Sequence, residues 1–119
     1  MHPIDNEAGA HAQLARDFED HLREGYRYLV KAINYRAKAF NEMLTMYGGV
    51  RTAQLLLQGP RTSEGFARLW EENMLQHSVE ASVLRPKYRS LFTDTEQDAA
   101  RRRLEDHQFD VEGFLRHDG

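Results

Sequence analysis

The sequence predicts an all-α fold, a compact single-domain bundle of five or six short-to-medium helices. Three observations point there. Apolar residues recur at spacings of three and four along most of the chain, while period-two alternation is almost absent. The apolar stripes are separated by helix punctuation at Gly48–Gly49, Gly59–Pro60 and Pro86. With 119 residues and no cysteine, the chain is of single-domain size and must rely on an apolar core, not on disulfides or thiolate metal sites.

Each element has its own warrant. Leu14, Phe18, Leu22, Leu29 and Ile33 mark one face of a long first helix, with Tyr26 beside it. Gly25 lowers local helicity by about 1 kcal/mol relative to alanine, and the helix is expected to continue past it. The register changes around residues 33–36, and Phe40, Met43, Leu44 and Tyr47 open a second stripe that Gly48 ends in the left-handed conformation. Val50, Ala53, Leu56 and Leu57 make a third, short helix, capped by Gly59 and broken by Pro60. Thr62 or Ser63 caps the next helix, in which Phe66, Leu69, Trp70 and Met74 face the core. Ser78 caps another, with Glu80 as a first-turn anion, Val79, Val83 and Leu84 inside, and an end at Arg85–Pro86. Thr93 and Glu96 have the spacing of a capping box that starts a helix to about His107, with Ala100 and Leu104 inside. One short turn through Phe114 and Leu115 follows. Residues 1–12 and 110–119 are expected to fray, and residues 1–119 form one domain.

Composition narrows the function classes. Sixteen basic and nineteen acidic side chains leave a net charge of −3, without a general basic excess or an acidic tail. Residues 1–12 lack the basic and apolar regions of a secretory signal, and the longest aliphatic run is Leu55–Leu57. A cytoplasmic protein with no membrane partner is the expectation.

The segment 48–104 also resembles a small, uncharacterised bacterial all-helical domain. The likeness rests on Gly48, Gly49, Gly65, Phe66, Leu69, Trp70 and Glu71, then on Ser78, Val79, Glu80, Val83, Leu84 and Pro86. It continues through Leu91, Phe92, Thr93, Glu96, Ala100 and Leu104. The resemblance implies a helical fold and carries no activity with it.

Five features bear on chemistry. Glu71, Glu72, His77 and Glu80 have carboxylate and imidazole donors, but not the repeated Glu-x-x-His pairs of di-metal bundles, and read as surface and helix-cap residues. Asp17, His21 and Glu24 share one helical face at spacings of four and three, a geometry that could hold a divalent ion or simply stabilise an exposed helix. Arg23–Lys38 carries five bases, one acid and three tyrosines. Within it Arg23, Arg27 and Lys31 form a ridge for phosphates or an acidic partner, joined by Arg36 and Lys38, while Tyr28 and Tyr35 could stack on bases. Its bland alternative is a solvated face whose basic stems cover aromatic rings. Residues 49–73 have a helix–turn–helix outline, yet the second helix is acidic on balance. Arg101–Arg103 reads as the exposed flank of an amphipathic helix. No nucleophile elbow or phosphate loop is recognisable among Ser63, Ser78, Ser82, Ser90 and Gly48–Gly49.

These readings favour a non-enzymatic interaction module, an accessory subunit, adaptor or regulator that binds a protein partner or its own copies, with no cofactor or metal. The alternative is nucleic-acid binding through residues 23–38. A metal-dependent enzyme on Asp17, His21 and Glu24 is third.

Overall fold

The computed structural model describes the backbone of residues 3–118 and the side chains of residues 8–117. The fold is all-α and a single domain. Its α-helices among these residues are α1 (Pro3–Ile33), α2 (Lys38–Tyr47), α3 (Gly49–Gln58), α4 (Glu64–Glu71), α5 (Val79–Leu84), α6 (Asp94–Asp106) and α7 (Val111–Asp118). Two 3-10 segments, Leu75–His77 and Pro86–Leu91, flank α5. This division is finer than five or six helices, because the 110–119 segment is a capped helix and not a single turn. Asp110 Oδ1 accepts from Gly113 N there, at 3.0 Å. At the other end α1 starts at Pro3, so most of the segment expected to fray is helical; Met1, His2 and Gly119 lie outside the described residues. Among the described residues no helix is long and apolar enough to cross a membrane.

The long α1 is the spine. Thirty-one residues at 1.5 Å each give about 46 Å, which sets the longest dimension of the molecule, 49 Å. Residues 8–13 are exposed, and burial begins with Leu14 and becomes complete at Phe18. The helix continues past Gly25 as its pattern predicts and stops after Ile33. Asn34 takes a left-handed φ of 53°, and the Tyr35 amide donates back to the Leu29 carbonyl.

Between α2 and α3 the chain turns through a single residue. Gly48, at φ 79°, ends α2 and lets α3 begin at the next position. Gly49 is needed for a different reason: a Cβ there would lie 2.7 Å from Glu19 Cα, so α3 starts against the backbone of α1. Glu19 Oε1 accepts from the Gly49 amide at 2.9 Å, and its Oε2 pairs with Arg23, whose Nη2 also reaches the Leu44 carbonyl. One acid and one base of α1 thereby hold the end of α2 and the start of α3. Gly49→Ala should separate the two helices and cost about 1–3 kcal/mol, the range for overpacking. A urea unfolding midpoint unchanged from wild type would contradict the close approach.

Ser63, Ser78 and Thr93 cap α4, α5 and α6, each accepting the amide three residues on, and Thr93–Glu96 closes as a full capping box. The core joins Phe18, Leu22 and Leu29 of α1 to Leu44, Ala53, Leu57, Phe66, Val83, Ala100 and Leu104. Phe18 is its centre, standing edge-on to Tyr88 and to Phe92 at 5.1 Å in both cases.

Two assignments change. Trp70, expected in the core, is 51% exposed, because α4 ends one residue later and the left-handed turn at Asn73 (φ 58°) carries the chain away. Its ring meets the edge of His107 at 5.2 Å. Arg103, expected on an exposed flank, is mostly buried, with Nη1 on Glu80 Oε2 at 3.3 Å. Its guanidinium also donates to the carbonyls of Leu56, Leu57 and Gly59. Gly59 itself is extended, at φ −66°. Arg103 thus satisfies carbonyls that the end of α3 would otherwise leave open.

Candidate functional site

The fold leaves an open cleft of about 670 Å³ on one side of α1. The second half of α1 from His21 to Leu29 forms one wall. The segment 35–40 and the start of α4 form the second, and residues 76–85 the third. Leu22, Leu29, Phe40, Met43, Phe66 and Leu69 supply an apolar interior. A cavity of this size and character, with a few convergent polar groups, is the ordinary form of a small-ligand site.

The polar groups sit in small constellations. His21 Nε2 lies 3.0 Å from Ser82 Oγ, joining α1 to α5, and the His21 ring packs on Tyr88. Near them, the exposed Tyr28 ring lies 4.8 Å from that of His77. Burial first, and then the Arg85 charge, push the His77 imidazole below its usual value, so it favours the neutral form. Arg85 belongs to the same part of the cleft and stacks its guanidinium over Phe114 of α7 at 5.1 Å. At the other wall Tyr35 is covered by Arg68 at 5.2 Å. Burial and the neighbouring Glu64 raise the Tyr35 phenol above its usual value, against the opposing pull of Arg68. Glu80 also borders the cleft, and burial pushes its carboxyl up, against its own backbone hydrogen bond and the charge of Arg103.

The seven residues of the basic–aromatic segment separate in the fold. Arg23 is held by Glu19 and the Leu44 carbonyl, and Tyr35 by Arg68. Tyr28, Arg36 and Lys38 border the cleft, whereas Arg27 and Lys31 face outward. Arg27, Lys31, Arg36 and Lys38 have no ion-pair partner among the described residues.

Asp17, His21 and Glu24 do not converge on one point. Asp17 accepts from Gln13 and His21 turns to Ser82, while Glu24 is exposed at the cleft wall. Among the described residues no group of three or more His, Asp or Glu side chains is placed to hold a metal ion. Glu71 and Glu72 are exposed, with Glu72 paired to Arg68 at 3.2 Å, far in role from His77 at the cleft and Glu80 in the core. In the helix–turn–helix outline, the exposed positions of α4 include Glu64 and Glu71, an acidic face.

Sequence reasoning did not find Ser82, Arg85 or Arg103. Ser82 meets its histidine from sixty-one residues away, which no local spacing shows. Arg103 left a readable signal: with Ala100 and Leu104 it has the i, i+3, i+4 spacing of a buried face, which Arg101 and Arg102 lack. No family model, curated protein or solved structure matches the chain.

Proposed function

We propose that this chain is a non-enzymatic cytoplasmic binding module, an accessory or regulatory protein, and that the cleft along α1 is where it binds. The observation that carries this reading is the open apolar volume beside α1, bordered by polar side chains at separate points of its wall. The His21–Ser82 pair is the nearest approach to a base and nucleophile. Ser82 is only 3% exposed and lies inside α5, where its own amide is already bonded to the Ser78 carbonyl. It serves better as a polar anchor than as an attacking group.

Titration of the full chain with N-phenyl-1-naphthylamine, an uncharged apolar fluorophore, tests the reading. One saturable site is expected, abolished in Gly25→Phe, which places a ring in the cleft. Absence of a saturable site, or equal binding by Gly25→Phe, would overturn it. A regulatory module also needs a protein partner or a second copy, and among the described residues the large apolar side chains open to one are Met46, Tyr47 and Trp70, with Tyr28 exposed at the cleft.

Four cations of the basic segment without an ion-pair partner among the described residues favour a second reading, nucleic-acid contact along Arg27, Lys31, Arg36 and Lys38. On it, labelled DNA or RNA binds saturably at low salt, with affinity falling steeply as salt rises. Arg27→Glu/Lys31→Glu then lowers the log–log salt slope by about 2. No binding at low salt by anisotropy removes this reading.

A further inference from the structure

The aromatic rings of this protein fall into two sets. Those of the core meet one another: Phe18 stands edge-on to Tyr88 and Phe92, and Phe109 lies 5.7 Å from Phe114. The second set lines the cleft. Tyr26 and Tyr28 come from α1, Tyr35 and Phe40 from the facing segment and Phe66 from α4, so three of the five tyrosines border one cavity. His77 adds an imidazole from the third wall.

Three of these rings are already engaged. Tyr35 lies under Arg68, Phe66 stands edge-on to His107 and Tyr28 tilts against His77. Tyr28 is nevertheless 48% exposed, so its contact with His77 leaves much of the ring open. Tyr26 and Phe40 are only part-buried, and among the described residues neither meets another ring or a cation. Paired rings gain stability beyond the area they bury, through offset or edge-on contact. A ring without such a partner, at the wall of an apolar cavity, offers that gain to whatever enters. Met43 lines the same cavity, and a thioether also packs favourably on an aromatic ring.

Charge offers no comparable selection. Glu24, Arg36, Lys38 and Glu64 stand exposed at the border, two of each sign. Glu80 is engaged by Arg103, and Arg85 lies over Phe114. Burial first, and then the Arg85 charge, keep His77 toward its neutral form, so the imidazole joins the cleft as a further uncharged ring.

We infer that the cleft takes an uncharged, planar aromatic molecule, which packs against Tyr26 and Tyr28 on the α1 wall and against Phe40 on the facing wall. This rests on the reading of the cleft as the binding site. Ring-to-ring contact on two walls selects a flat aromatic body over a saturated one of the same size.

The test uses displacement of N-phenyl-1-naphthylamine from the full chain by 4-phenylphenol and by 4-cyclohexylcyclohexanol, which share one carbon skeleton and one hydroxyl. Burial of apolar area alone favours the saturated compound, which carries the larger apolar surface. The aromatic assignment reverses that order: 4-phenylphenol should displace at a concentration about tenfold lower, the worth of one or two ring-to-ring contacts. The ratio of the two concentrations is the quantity read, because a change in fluorophore affinity cancels from it. Tyr28→Leu/Phe40→Leu should remove the preference while 4-cyclohexylcyclohexanol still displaces, which shows that the variant is folded. Tyr28→Leu alone, at an exposed position, should lower the preference in part. Tyr47→Leu, an exposed ring outside the cleft, should leave it unchanged. Equal or stronger displacement by the saturated compound in the wild-type protein, or a preference that survives in the double variant, overturns the aromatic assignment while the cleft remains a binding site. A fluorophore site that is absent, or that survives in Gly25→Phe, overturns both.

Discussion

Arg103→Ala should lower the unfolding free energy by about 3–5 kcal/mol, the cost of removing one partner of a buried ion pair. Two losses add. Glu80, 2% exposed, would keep a carboxyl in the core without its counter-charge. The carbonyls of Leu56, Leu57 and Gly59 would lose the donor that closes the end of α3. The loss should also depend on pH, with a definite sign. Burial already raises the Glu80 carboxyl above its unfolded value, so the stability tied to its protonated form is fully present below the ordinary carboxylate range and is lost as pH rises through the folded value. Arg103 lowers that folded value through its charge and its hydrogen bond. Without it the folded value climbs, and the penalty in the variant is larger at about pH 7 than at about pH 4. Urea unfolding at the two pH values reads both effects. Arg101→Ala is the control: its partners Glu105 and Glu112 are exposed, and it should cost less than about 1 kcal/mol. Equal midpoints for the two arginine variants would contradict the assigned role of Arg103.

Phe18→Ala should cost about 3–5 kcal/mol, the usual toll for deleting a buried aromatic ring. Phe18 is fully buried and stands at the junction of α1 with the 3-10 segment Pro86–Leu91 and with Phe92. The edge-to-face contacts with Tyr88 and Phe92 disappear with the ring, and a cavity is left where it stood. Since domains of this size are stable by only about 5–15 kcal/mol in total, the variant should melt at a much lower temperature in calorimetry. A loss under about 1 kcal/mol would mean that α1 is not anchored at this point.

Where the sequence carried local chemistry, the fold was legible. The stripe Phe18, Leu22 and Leu29 is buried as its spacing requires. The caps at Ser63, Ser78 and Thr93 each close on the expected amide, and Gly48 ends α2 with a positive φ. Readings failed where a residue's partner lies far along the chain. Arg103 sits in a run of three arginines, and only its phase relative to Ala100 and Leu104 separates it from the two that face outward. Trp70 satisfies the helical spacing of Phe66 and Leu69, but spacing does not report that α4 stops at Glu71 with nothing beyond to cover the ring. The 3-10 geometry of residues 86–91 has no strong periodic signature in six residues.

The candidate site was the least legible part, because a cleft is a volume between elements and no residue encodes it alone. Tyr28, Arg36 and Lys38 stand out in the sequence for their charge and rings, and in the fold they border the cleft. In the sequence Gly25 reads as a weak point of α1, yet in the fold it lines the cleft wall without a side chain. Ser82 and Arg85 had no signal, since their meaning comes from His21 and His77.

The most direct test of the proposed binding cleft is a ¹⁵N–¹H NMR titration of the full chain with N-phenyl-1-naphthylamine. Saturable shifts should concentrate in residues 21–29, 35–40, 63–66 and 76–85, the walls of the cleft, and should vanish in Gly25→Phe. Shifts centred on Met46, Tyr47 or Trp70, or no saturable shifts at all, would contradict the assignment of the cleft as the site where this protein works.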